Sequence, residues 1–99
     1  MRPAASWDHD ALPGAELVSQ GLDDLGSDRE TPEALLVSMA ATRLRRAGID
    51  VPAGNGIGAG HRLYELLAAD HGASAHSRYN ALIGRLASFA RAAEHRRAG

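Results

Sequence analysis

Cysteine is absent from this chain, and so is lysine. The first absence excludes disulfides, thiolate metal sites and a cysteine nucleophile, and removes any demand for an oxidising compartment. The cytoplasm is therefore the expected location. The second absence excludes a Walker-type phosphate loop, which needs its lysine. Aromatic residues are scarce: Trp7, Tyr64, Tyr79 and Phe89 are all there are. No apolar run approaches the ~18 residues that cross a bilayer. The amino-terminal stretch MRPAASWDHDALPG also lacks the apolar segment of a signal peptide, so neither a membrane partner nor export by that route is expected.

Alanine fills the space these residues leave, at twenty of 99 positions. Alanine-rich chains form helices readily and pack them closely. With few large side chains each apolar stripe is thin, so docking on a partner protein, or self-association, is a natural way to complete the core. Charge is unevenly placed. Residues 1–60 hold five arginines against nine acids, and residues 61–99 hold six arginines against Glu65, Asp70 and Glu94, giving about −4 and +3 with neutral histidine. Such a split favours an acidic partner for the basic end, or head-to-tail association.

Residues 1–12 show no apolar period and are expected to form a tail anchored by Trp7, with a single helical domain over 13–96. Leu17, Val18, Leu22 and Leu25 predict a helix over 14–25, entered at Pro13 and left at Gly26, with Gly21 weakening it by roughly 1 kcal/mol. The second helix, 32–47, has Thr31 as N-cap and Pro32 at its first position, with Leu35, Leu36, Met39 and Leu44 as its buried stripe. It is expected to end at a left-handed Gly48 backed by Ile49. Arg43, Arg45 and Arg46 sit where the helix dipole favours cations.

The glycine-rich linker, 53–60, joins helices two and three. Gly54, Gly56 and Ala59 fit the spacing of a dinucleotide loop, but no strand precedes them and no β-rich run follows, so they read as a flexible connection. Two more helices are predicted, over 62–71 and 74–94, with Gly72 closing one and Ser74 capping the next. The expected fold is all-α, a compact bundle of about four helices with that loop between the second and third.

The corner HGASAHSRYNAL, residues 71–82, admits two functional readings. In a helix-turn-helix, Gly72 would be the turn residue and Ser74, His76, Ser77 and Arg78 would face DNA, with Arg85 further along. Against this, His71 and Arg78 occupy positions where such corners bury aliphatic side chains, and a buried unpaired arginine is costly. The favoured reading is a non-enzymatic interaction or regulatory module, with Arg78 and Arg85 meeting Asp23 and Asp24 of a neighbour. No cofactor is implied. His71 and His76, five apart, do not share a helix face, and adjacent His76 and Ser77 point apart, so neither a metal site nor a catalytic pair is expected.

Overall fold

The computed structural model describes residues 9–52 and 56–98, and among these it contains helices and turns but no strand. Five helical segments follow in order: α1 (Ala15–Gly26), α2 (Pro32–Met39), α3 (Ala41–Arg46), α4 (Ala59–His71) and α5 (Ala75–Ala98), with a 3₁₀ turn at Gly72–Ser74. The expected all-α bundle of about four helices is present, its second helix interrupted at Ala40. There the backbone leaves helical geometry (φ −98°, ψ 9°), and one N–H is shared between Leu36 O and Val37 O, each at 3.2 Å.

The signals at both ends of this interrupted helix act as the sequence predicts. Ala34 N–H donates to Thr31 Oγ1 at 3.1 Å, and Pro32 occupies the first turn, where no N–H is needed. At the far end Gly48 has φ +91°, and Ile49 N–H donates to Leu44 O at 3.0 Å. Ile49 is buried, as the apolar contact of such a cap requires.

Three local features go beyond the sequence expectation, and the last corrects it. α1 does end at Gly26, but the left-handed residue behind it is Asp28 (φ 57°), and Arg29 N–H returns to Asp24 O at 2.8 Å. Gly21 turns out to have a packing role as well as a helical cost: a Cβ there would lie 2.5 Å from both Glu33 O and Val37 Cγ2, so its absence lets α1 and α2 touch. Ser74 does not cap α5. Its hydroxyl donates to His71 O at 3.1 Å, and α5 is entered through the 3₁₀ turn after Gly72 (φ 54°).

Phe89, Leu36, Leu44, Leu63, Val18 and Val37 are fully buried and join all five segments in one core. Each such side chain contributes on the order of 1.5–3 kcal/mol. α5 carries its share on one face, at Leu86, Phe89, Ala90 and Ala93. With 24 residues it runs about 36 Å, close to the 40 Å long dimension of the molecule.

Trp7 and most of the expected tail, residues 1–8, lie outside the described residues. Packing begins earlier than residue 13, since Leu12 rests on the core and the His9 ring lies 6.0 Å from Phe89. Residues 53–55 of the glycine-rich stretch also lie outside the described residues. Its end is helical: Ala59 starts α4 and is buried.

Candidate interaction surface

Asp24 is taken up by the fold. Its carboxylate is 3% exposed and accepts hydrogen bonds from Thr31 Oγ1 (2.6 Å), Gln20 Nε2 (2.9 Å) and the Arg29 guanidinium (2.9 and 3.2 Å). The Thr31 bond, joined by those from Arg29 and Gln20, outweighs burial and holds this carboxyl below its ordinary value. The α1–α2 turn is thereby fastened to the cap of α2. Asp23, one residue earlier, is exposed.

Arg85 also looks inward to its own molecule. Its guanidinium pairs with Glu16 of α1 in the same chain, whereas the partners expected for it were Asp23 and Asp24 of a neighbour. Arg78 stays exposed near the start of α5, with Nε 3.4 Å from Ser74 Oγ. His76 and Ser77 are exposed beside it, and Asn80 Nδ2 donates to His76 Nε2 at 3.2 Å. The structure therefore gathers Ser74, His76, Ser77 and Arg78 at one corner, together with exposed Asp70 and His71. No group of three metal-ligating side chains occurs among the described residues.

A second surface carries apolar chemistry that the sequence reading assigned to the core. Met39, expected in the buried stripe, is 38% exposed at the end of α2. It borders a surface cavity of about 260 Å³, floored by Leu36, Ala40, Ile83, Leu86 and Ala87, between α2 and α5. Tyr79 adjoins it through Gly60, and the Tyr64 ring, 40% exposed, lies 5.7 Å from the Tyr79 ring. The apolar surface thus extends from the cavity onto α4.

The other end of the cavity is charged. Arg43 lines it and donates to both oxygens of Glu94, at 2.7 and 3.0 Å. Arg43, with a smaller electrostatic contribution from Arg91, keeps the Glu94 carboxyl below its usual range. The sequence assigns neither Arg43 nor Arg91 to a protein partner: Arg43 reads as a dipole-matched helix end rather than a nucleic-acid patch, and Arg91 enters only as a phosphate contact of the DNA alternative.

Among the described residues no helix is long and apolar enough to cross a membrane. Comparison with protein-family models, with curated proteins and with solved structures finds no match to this chain.

Proposed function

We propose that this chain is a non-enzymatic helical module of the cytoplasm that acts by binding another protein. The observation that carries the reading is the cavity between α2 and α5, where Met39 and Ile83 leave apolar surface open to solvent in a chain with few large side chains to spend. Exposed apolar surface that joins into one patch is a mark of interaction sites, and methionine adapts to varied partners. Of the residues expected to meet a partner, Arg78 and Asp23 are exposed, one on each side of the charge division. The test compares the immobilised chain with a Met39→Glu/Ile83→Glu variant of unchanged helical spectrum. A protein recovered from native extract by the first and lost by the second supports the reading. Equal recovery by both, or none, overturns it.

A second reading has one observation behind it: Ser77 and Arg78 stand exposed at the start of α5, where a DNA-reading helix presents its contacts. Asp70 at the same corner opposes phosphate. If DNA is the partner, duplex affinity falls linearly against salt on logarithmic axes, and a dimer sets two corners about 34 Å apart. Duplex mobility unchanged by micromolar protein at low salt removes this reading.

A further inference from the structure

We propose that the cavity between α2 and α5 receives an acidic amphipathic helix from a partner protein, an inference that rests on the interaction reading above and names the chemistry of its partner. Shape gives the first half of the argument. The floor is aliphatic, and at about 260 Å³ it takes one or two large apolar side chains. On the solvent side of α5, Gly84 has no atom within 4 Å of where its Cβ would stand, and Ala87 beside it is small. A second helix can therefore approach the backbone of α5 closely while inserting its apolar residues beside Met39 and Ile83, the helix-in-groove mode of recognition.

Charge gives the second half. At the mouth of the cavity Arg43 is matched by Glu94, whereas Arg91 adds a further positive charge and makes no ion pair among the described residues. The group carries one net positive charge. Within α5 itself the arginines, Arg78, Arg85, Arg91, Arg96 and Arg97, outnumber the acids, of which Glu94 is the one, and Arg85 is matched from outside by Glu16 of α1. A partner helix with carboxylates flanking its apolar ridge is attracted and steered to this face, and a basic one is repelled. A second copy supplies a poorer occupant: its α5 carries like charge, and its acidic α1 holds none of the large apolar side chains exposed among the described residues, Met39, Ile57 and Tyr64.

Two synthetic helices of about 18 residues, long enough to hold helical structure, test this with the full chain. They share one leucine–alanine ridge, and one carries glutamate and the other lysine on its polar face. The proposal expects the glutamate peptide to shift the methyl resonances of Met39 and Ile83 and to bind about tenfold or more tighter than the lysine peptide at low salt. Arg91→Glu should remove most of that preference, and Ala87→Trp, which fills the cavity, should abolish binding with the helical spectrum retained. Equal affinity for both peptides, shifts elsewhere, or no binding overturns it. So does a second copy as occupant, seen as methyl shifts that depend on protein concentration alone, with a dimer in sedimentation. If the glutamate peptide fails while Ala87→Trp still loses a protein from native extract, the partner chemistry is wrong and the interaction reading stands.

Discussion

The same substitution, glycine to alanine in mid-helix, should have opposite effects at two positions of this protein. At Gly84 a Cβ meets nothing within 4 Å, so Gly84→Ala gains only what backbone entropy offers, about 0.5–1 kcal/mol. At Gly21 the same gain is opposed by a Cβ placed 2.5 Å from Glu33 O, where ordinary contact begins at 3.4 Å. The difference, 0.9 Å, cannot be absorbed by a side-chain rotation, because the obstructing atom is backbone in the first turn of α2. Opening the α1–α2 interface by that distance forfeits roughly a quarter to a half of each affected dispersion contact, and overpacking of this kind costs about 1–3 kcal/mol. The net expectation is that Gly21→Ala destabilises by about 1–2 kcal/mol, lowering Tm by about 4–16 °C, and Gly84→Ala raises it by about 2–8 °C. Thermal melts followed by circular dichroism, with both variants and the wild type at one concentration, decide it. A Gly21→Ala protein that melts at or above the wild type refutes the close approach of α1 to α2.

Asp24→Ala should cost about 2–3 kcal/mol in urea unfolding at neutral pH, below the extreme for a broken buried pair, because Arg29 is 58% exposed and regains water. Since the folded carboxyl lies below its unfolded value of 3.8, its stabilisation is fully present above that value and is lost as pH falls through the folded one. Asp24→Asn should therefore flatten the acid limb of the stability curve, and an unchanged limb counts against the Asp24 network. Thr31→Ala should cost about 1–2 kcal/mol, as N-cap losses do, with its bond to Asp24 placing it toward the upper end. Leu44→Ala, at a fully buried site, should cost about 2–5 kcal/mol. The neighbouring Arg43→Ala removes only a half-exposed ion pair and should cost less than about 1 kcal/mol by the same melts.

Much of the fold was legible because the chain marks its helix ends with residues whose chemistry acts locally. Thr31 and Pro32, Gly48 and Ile49, and Gly72 each determine a few backbone hydrogen bonds or a left-handed angle within one turn, so neighbouring residues suffice to read them. The misreadings fall where the deciding partner is distant or where two local solutions compete. Gly21 reads as a defect until Glu33 lies against it. Asp24 reads as a surface charge until its bonds to Arg29 and Thr31 draw it under cover. Ser74 reads as a cap, yet its hydroxyl prefers the His71 carbonyl.

The cavity was hidden by the same limit, and the residue that conceals it is Met39. In an unbroken helix Met39 follows Leu35 and Leu36 by four and three residues and shares their buried face, which is why it reads as core. The sequence has no proline or glycine near Ala40 to announce a break. The helix breaks at Ala40, after Met39, so Met39 keeps the face of Leu35 and Leu36; as the last residue of α2 it stands at the cavity rim with its side chain part-uncovered, while Leu44 of α3 reaches the core. Place along one helix thus separates residues covered by the bundle from a residue at its rim that leaves apolar surface open. Leu36, Leu44 and Phe89 are fully buried, whereas Met39, the uncovered part of Ile83 and the charge of Arg91 remain at the surface. A helix that buries the first pair and meets the third would complete what twenty alanines leave thin.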